Sequence, residues 1–532
     1  MRVIFMLKNE VSQRKKVILF LLLILLNVTL RIYAVPHETG NDSYQIHALA
    51  NSISESGTAR WWLNPLSVFG LYSYSYASAV PFLLSGISQL SNVDMEKMIL
   101  LYCMILGLFS IFAAYLMAGA FYNDFVFKYL FAFFFSISQG ILQFTTFDAS
   151  TRGMFMVAFP LMFYLLLKED KSWRRLILIV IFLVFLRSVH NFSYFAIPLI
   201  FTVILIYMGS RIKLATKKEM KISFNSEKLA LLKKVNFTHI YICLLLGAIL
   251  IPYFTKLFVV GSRYQHLIVM SITTARYVGP SIFLLLGGLV YITNKKKKNS
   301  HDWFILISTL FFIPISYSHI YGKFIIIPVV IFFIAIAFKN CLFAISSKRL
   351  NTFFIIFVII SSSLFSSYYN NYRTGDSQNY WYMDEKTYQA GIWTSSYIPE
   401  NSHVFTTIGS VWRMLAISNG HIEFPSLPSL ELVYGFVDKP EALNNTVSLP
   451  YTNLDYYFEG PYIQQSGTSK LGEYEWMMNF DIKDRRVQNF IEKYNMKYIV
   501  YDIASKRGKI MSTVEENNDL IYDGDRIKIW LV

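Results

Sequence analysis

Two acidic residues close to the N-terminus are the first candidates for chemistry. Glu38 and Asp42 stand four positions apart, directly after the first apolar run of the chain. A carboxylate in such a place could act as a general base or as a ligand of a hard cation such as Mg²⁺ or Mn²⁺. The structural alternative is that Asp42-Ser-Tyr-Gln45 forms a capping box and begins a helix that Gly57 ends. The local sequence leaves both interpretations open.

A third carboxylate, Asp148, follows a later apolar run and has Arg152 four residues after it. Ionisable side chains at membrane level are costly to maintain and usually serve a function. Asp148 is therefore a second candidate metal ligand, together with Asp42. The alternative is a helix cap in which Asp148 and Arg152 form a local ion pair.

Three cations, Arg263, Arg276 and Lys323, stand near the ends of later apolar runs. Arg and Lys bind phosphate through charge-assisted hydrogen bonds, so these residues could hold the phosphate of a polyprenyl lipid. They could equally extend toward lipid headgroups as snorkelling side chains. The sequence does not decide between the two roles for any one of them.

The elements that would position these residues are membrane helices. Of the 532 residues, 54% are hydrophobic and 16% are charged. Several apolar runs reach the roughly 20 residues needed to cross a bilayer. We predict eleven membrane-spanning helices, the first at Val17–Val35 and the others near 98–121, 127–145, 154–167, 176–189, 194–209, 238–259, 277–292, 303–318, 323–338 and 350–367.

The distribution of charge predicts the orientation of these helices. The net charge of +15 divides into +21 before Tyr368 and −6 from Tyr368 onward. Lys and Arg accumulate in short cytoplasmic loops, so the basicity orients the spans in the cell membrane and indicates no nucleic-acid partner. With a cytoplasmic N-terminus, residues 36–97 become an outer loop with a juxtamembrane helix at Tyr76–Leu90. The C-terminal region is then extracytoplasmic.

We predict two domains, a transmembrane domain at 1–367 and an extracytoplasmic α/β domain at 368–532. The second region contains the β-patterned runs Tyr498–Tyr501 and Ile527–Val532 and an amphipathic segment at Arg485–Tyr494. All three cysteines precede this region, so it has no disulfide framework and must be stabilised by its own core.

The arrangement resembles the GT-C superfamily of membrane glycosyltransferases, in which an acidic motif in the first outer loop follows the first span. Glu38, Asp42-Ser-Tyr and the Trp61-Trp62 stretch carry this resemblance. Within the superfamily, the chain looks most like the oligosaccharyltransferase catalytic subunits and their archaeal relatives, whose second acidic motif stands where Asp148 is here. Lys323-Phe-Ile-Ile-Ile-Pro328 is similar to that family's late span, which begins with a basic residue that contacts the donor phosphate.

The chain also departs from the oligosaccharyltransferases. Their WWDYG motif, which reads the acceptor sequon, is missing, and the corresponding stretch is Val404-Phe-Thr-Thr-Ile-Gly-Ser-Val-Trp-Arg413. Gly261–Gly279 lacks the glutamate that those enzymes carry in the equivalent loop. These departures place asparagine glycosylation second among the possible activities.

The resemblance implies a glycosyltransferase that uses a polyprenyl-phosphate or polyprenyl-pyrophosphate sugar donor. Its acceptor would be a glycan, a lipid or a protein at the outer membrane face. It further implies catalytic roles for Asp42 and Glu38, donor-phosphate binding by Lys323, Arg276 and Arg263, and a possible divalent cation on Asp42 and Asp148. A lipid flippase or transporter is the alternative from another class, for which paired broken helices with polar groups near mid-bilayer are expected.

Overall fold

The computed structural model describes twelve segments of the chain, and two sequence features fall outside them. The described residues are 12–57, 79–168, 172–219, 237–255, 271–272, 274–318, 322–374, 382–400, 402–406, 411–423, 477–503 and 508–532. The Trp61-Trp62 stretch and Arg263 lie outside the described residues, so their predicted roles stay predictions.

Apolar helices dominate the first part of the fold. A segment surrounded by lipid must pair its own backbone N–H and C=O groups, which an apolar sequence does by forming a helix. The described helices are α1 (Gln13–Leu30), α2 (Asn41–Ser56), α3 (Ala79–Ser91), α4 (Met95–Phe121), α5 (Phe125–Ser136), α6 (Gln139–Leu142), α7 (Thr151–Leu167), α8 (Trp173–Val189), α9 (Ala196–Glu219), α10 (Phe237–Thr255), α11 (Leu285–Asn294), α12 (Ser300–Ser318), α13 (Gly322–Ile325), α14 (Ile327–Ala344) and α15 (Lys348–Thr374). Short 3₁₀ segments at Asn191–Phe195 and Pro280–Leu284 lead into α9 and α11.

Several of these helices suit a membrane by their length and by the apolar surface they expose. Among the described residues, five helices are long and apolar enough to cross a bilayer: Met95–Phe121, Phe192–Ser210, Thr238–Thr255, Gly322–Ala344 and Lys348–Asn371. Large apolar side chains also face outward, since Leu25, Leu176 and Leu286 are each more than 60% exposed. Lipid would cover such surfaces. A helix lies at every predicted span, and the total of eleven spans remains a prediction.

One predicted span differs from the structure. Instead of a continuous helix near 127–145, α5 ends at Ser136 and the single turn of α6 follows. The chain can leave the helix here because it is enclosed by protein and its carbonyl groups find other donors. Arg31 Nη2 donates to the Ser136 carbonyl oxygen at 3.1 Å, and Ser366 Oγ donates to the Ile137 carbonyl oxygen at 2.6 Å.

The C-terminal part of the fold is a five-stranded mixed sheet with helices. Its elements are α16 (Glu385–Tyr397), β1 (Ser402–Thr406), α17 (Val411–Ile417), β2 (Ile422–Glu423), α18 (Arg485–Lys493), β3 (Met496–Asp502), α19 (Lys509–Asn517), β4 (Leu520–Asp523) and β5 (Ile527–Leu531). The strand order is β2-β1-β3-β5-β4, with β1 parallel to β2 and β3, and β5 antiparallel to β3 and β4. The two predicted strands and the predicted amphipathic helix are all present.

Helix α2 joins the helical part to the sheet. On one side, Leu49 and Ile53 belong to a buried apolar cluster with residues of β1, β3, β5 and α17. On another side, Ile46 and Ala50 pack in a cluster with α3 and α4. Asn51 Nδ2 also donates to the Ala416 carbonyl oxygen at 3.1 Å. The position of the acidic segment that begins α2 is therefore fixed from both sides.

Candidate active site

The candidate site is formed where two loops meet, one at the start of α2 and one at the start of α7. The amide nitrogen of Thr39 donates to the Phe147 carbonyl oxygen at 2.9 Å, and the amide nitrogen of Ala149 donates to Ser43 Oγ at 3.0 Å. The structure thus brings the segments of Asp42 and Asp148 together across about a hundred residues of sequence.

Asp42 lies in the first turn of α2 and does not cap it. The helix begins at Asn41, its N-cap is Gly40, and no side chain accepts a cap hydrogen bond, so the capping-box interpretation of Asp42 is wrong. The predicted end at Gly57 is confirmed, because Gly57 adopts the left-handed C-cap conformation with φ 66°. The Asp42 carboxylate keeps 28% of its surface exposed and lies 3.3 Å from Arg152 Nη1. Ser150 Oγ lies 3.4 Å from Asp42 Oδ2.

Arg152, the partner of Asp42, is one of three cations that interact electrostatically with one another. The guanidinium groups of Arg152 and Arg276 both repel the Lys323 ammonium. Lys323 Nζ lies 5.7 Å from the centre of the Tyr277 ring, and the Arg276 guanidinium lies 5.3 Å from that of Tyr369. Positive groups in one neighbourhood create a potential that attracts anions. The sequence predicted Arg152 only as a local partner of Asp148, so its association with Lys323 comes from the structure.

Asp148 is buried against Gly40, the N-cap residue of α2. Asp148 is only 2% exposed. A Cβ atom built on Gly40 would lie 2.6 Å from Asp148 Oδ1, and Gly40 itself has φ +95°. Glycine is therefore required at this position both for the backbone conformation and for the close approach of the carboxylate.

Replacing Gly40 by Ala is expected to lower both the melting temperature and any activity of the site. A residue with a Cβ atom pays about 1–3 kcal/mol for this positive-φ backbone conformation, and the new methyl group must also displace Asp148. Thermal unfolding in detergent measures the first effect. Gly86→Ala is the matched control, because a Cβ there meets nothing within 4 Å and Gly86 lies inside α3. Equal melting temperatures for the two variants would contradict the close contact.

Glu38 is enclosed rather than open to a substrate. It has no exposed surface, and it accepts a hydrogen bond from Ser43 Oγ at 2.7 Å and one from His47 Nδ1. Its backbone carbonyl oxygen accepts from the Tyr44 hydroxyl at 3.1 Å. Both carboxylate oxygens are thus used within the first turns of α2, which suits a residue that positions this helix.

His37 connects three parts of the fold beside the acidic segment. Its Nδ1 lies 3.0 Å from Glu96 on α4, its Nε2 lies 3.0 Å from Glu385 on α16, and its ring stacks on Tyr388. Burial disfavours the charged imidazole, but the two carboxylates outweigh burial and raise the pKa of His37. Sequence reasoning missed this contact, since no spacing rule relates residues so far apart.

The contacts of His37 predict a pH dependence of stability. A group with a raised pKa in the folded state stabilises the protein fully below its unfolded pKa of about 6.5 and loses that effect as pH rises through the folded value. The difference in melting temperature between wild type and His37→Gln is therefore expected to shrink as pH increases. His403→Gln is the control, because His403 Nδ1 contacts a backbone carbonyl oxygen rather than a carboxylate. A constant difference for His37→Gln would contradict the charged bridge.

The divalent cation predicted on Asp42 and Asp148 remains a prediction. Among the described residues, no group of three or more His, Cys, Asp or Glu side chains could hold a metal ion. Mg²⁺ commonly binds one or two carboxylates together with substrate phosphate oxygens and water. The glycine-lined position of Asp148 and the partly exposed carboxylate of Asp42 fit that smaller set. A cation here would depend on the bound donor.

Comparison with known proteins identifies structural relatives but no sequence relatives. No protein-family model matches the chain, and no curated protein matches it. The oligosaccharyltransferase of Archaeoglobus fulgidus, with a tethered acceptor peptide containing the NVT sequon, matches with a TM-score of 0.57 and 11% identity over 92% of this chain and 69% of that chain. Its apo form matches with a TM-score of 0.56 and 12% identity, over 93% and 70%.

A third structure supports the same assignment of fold. The archaeal oligosaccharyltransferase AglB of Archaeoglobus fulgidus, in complex with an inhibitory peptide and a dolichol-phosphate, matches with a TM-score of 0.51 and 13% identity over 92% of this chain and 70% of that chain. Identities this low establish a shared fold only. The chemistry has to be argued from the residues of the candidate site. The chain therefore shares the fold of these oligosaccharyltransferases, and the predicted resemblance to GT-C membrane glycosyltransferases is confirmed at the level of the fold.

Proposed function

We propose that this protein is a GT-C glycosyltransferase of the cell membrane. It takes a sugar from a polyprenyl-phosphate or polyprenyl-pyrophosphate donor and transfers it to a glycan, lipid or protein acceptor at the outer face. The observation that carries the proposal is that Asp42, a partly exposed carboxylate, pairs with Arg152, which with Arg276 acts electrostatically on the Lys323 ammonium. A carboxylate and a phosphate-binding group are the two parts that such a transfer requires.

The proposed reaction is a displacement at the anomeric carbon of the donor sugar. The acceptor hydroxyl oxygen forms the new bond, its proton passes to Asp42, and the bond from the anomeric carbon to the donor phosphate breaks. The electron pair leaves with the phosphate oxygen, whose charge Lys323 and Arg276 stabilise. A divalent cation on Asp42 and Asp148, when bound, would supply further neutralisation of that phosphate.

The residues differ in how directly they would act. Asp42 is the catalytic residue, because its carboxylate is the accessible one. Glu38 is a positioning residue, because its oxygens are occupied by Ser43 and His47. Arg152 pairs with the Asp42 carboxylate and interacts electrostatically with Lys323, so we assign it a supporting role in binding the donor phosphate.

The donor class is also supported by a structural relative, since the Archaeoglobus fulgidus AglB structure contains a dolichol-phosphate, which is a polyprenyl phosphate. The proposed topology has a cytoplasmic N-terminus, a transmembrane domain at 1–367 and an extracytoplasmic domain at 368–532. In this topology Asp42 lies at the outer face, because α1 ends at Leu30, twelve residues before it.

The test is transfer of labelled sugar from native membrane polyprenyl lipids by the purified, folded protein. Product formation that depends on the lipid fraction supports the proposal. Absence of transfer with every native lipid extract contradicts it, and lipid movement between leaflets without sugar transfer would favour a flippase or transporter.

Asparagine glycosylation is the second candidate, favoured by the fold shared with an oligosaccharyltransferase that holds an NVT acceptor peptide. Offering a sequon peptide in the same assay separates the two activities. Labelling of the peptide at asparagine would establish the second candidate. Labelling of lipid or glycan alone supports the first.

A further inference from the structure

A cavity of about 700 Å³ lies among helix ends on the side of the helical part opposite to Asp42. Helix α4 has 27 residues, so its Phe121 end, which lines the cavity, is about 40 Å from its Met95 end near His37. Likewise α7 begins beside Arg152 and ends at the cavity residue Leu167. The cavity is thus a separate site on the face predicted to be cytoplasmic.

The charged groups of the cavity wall suit an anion. Lys168, Lys295 and Lys339 line it, against the single lining carboxylate of Asp124. Lys295 Nζ is held 2.7 Å from the fully buried Asp302, which fixes the ammonium group at the wall. Lys339 Nζ lies 3.1 Å from Asp124.

Polar uncharged groups complete the lining. Asn299, Asn340 and Tyr291 also line the cavity. Amide and hydroxyl donors beside ammonium groups are suited to the several oxygens of a phosphate ester.

The surface beside the cavity favours a lipid over a soluble phosphate. Tyr291 lines the cavity and is 45% exposed, and its neighbours on α11, Leu286 and Val290, are exposed apolar residues. A headgroup bound among the lysines would leave its acyl chains next to this apolar surface. Basic pockets between membrane helices on the cytoplasmic side bind anionic headgroups in this way.

We propose that this cavity binds the phosphate headgroup of an anionic membrane phospholipid. The inference is independent of the proposed function, because it uses none of the residues near Asp42. The shared chemistry is a phosphate ester, and the lipid source rests on the apolar face of α11.

The test is native mass spectrometry of the full-length protein, depleted of lipid in a neutral detergent and titrated with dioleoylphosphatidylglycerol or dioleoylphosphatidylcholine. Wild type is expected to bind the anionic lipid preferentially. Lys168→Gln with Lys339→Gln is expected to weaken that binding at least about tenfold, given the contribution of each lysine near a headgroup. Lys168→Gln alone is a milder variant, which retains the ion pair of Lys339 and is expected to show a smaller loss.

The matched control is Lys296→Gln with Lys297→Gln, since these lysines follow Lys295 directly, are exposed and do not line the cavity. It is expected to bind the lipid as wild type does. Equal weakening in the control and cavity variants would overturn the site in favour of surface attraction. Glycerol phosphate is added as a competitor of the lipid in the same titration. If it binds as strongly as the lipid does, the assignment of the ligand as a lipid is overturned.

Discussion

Replacing Asp42 by Asn is expected to lower the rate of sugar transfer by about 10²–10⁴-fold, the range by which a positioned general base accelerates a reaction. The carboxamide has nearly the same shape but cannot accept the acceptor's proton. Stability should change little, because the Asp42–Arg152 pair is partly exposed on both sides and such pairs contribute only about 0–1 kcal/mol. The measurement is transfer of labelled sugar by purified variant and wild type, with thermal unfolding of both.

The matched control for this prediction is Glu55→Gln, which removes an exposed carboxylate from the far end of the same helix. It is expected to transfer sugar at the wild-type rate. Wild-type activity in Asp42→Asn would exclude Asp42 as the base. If Asp42 and Asp148 hold a divalent cation, EDTA abolishes transfer by wild type and added Mg²⁺ or Mn²⁺ restores it.

Replacing Glu38 by Gln is expected to destabilise the protein by about 3 kcal/mol, at the lower end of the cost of removing one partner of a buried ion pair. The His47 imidazole would stay buried without its carboxylate. Burial disfavours the charge of His47, but Glu38 outweighs burial and raises the pKa of that imidazole. The loss of stability should therefore be greatest below the unfolded pKa of about 6.5 and decrease as pH rises through the raised value.

Thermal unfolding in detergent at about pH 6 and about pH 9 measures this effect on both sides of the titration. Glu400→Gln is the control, because Glu400 is an exposed residue in the C-terminal part of the fold. A melting temperature for Glu38→Gln equal to that of the control would contradict the buried pair. If Glu38→Gln instead melts as wild type does but loses activity, the result would support the catalytic role that the resemblance implies for Glu38.

The helices were predictable from sequence because each long apolar run has one way to satisfy its backbone in lipid. The break at Ser136 was not predicted, although residues 137–145 are more polar than the Phe-rich residues before them. Their exit from the helix depends on donors from Arg31 and Ser366, which come from distant parts of the chain. A local sequence pattern does not indicate which distant residues will donate these hydrogen bonds.

The candidate site divides in the same way. Residue types and the family resemblance singled out Asp42, Asp148, Lys323 and Arg276, because ionisable side chains at membrane level are costly to maintain and usually serve a function. Their roles needed the tertiary structure. It shows Glu38 enclosed by Ser43 and His47, and it shows Arg152 paired across the loops with Asp42.

The sequence by itself determined the helical membrane architecture, the GT-C resemblance and the candidate chemistry, since these follow from apolar run length, charge distribution and residue type. Only the tertiary structure decided which acid is accessible, which is buried, and which cations share its surroundings. The physical reason is that accessibility and pairing depend on how α2, α4, α7 and α16 pack, and packing brings together residues that no spacing along the chain relates.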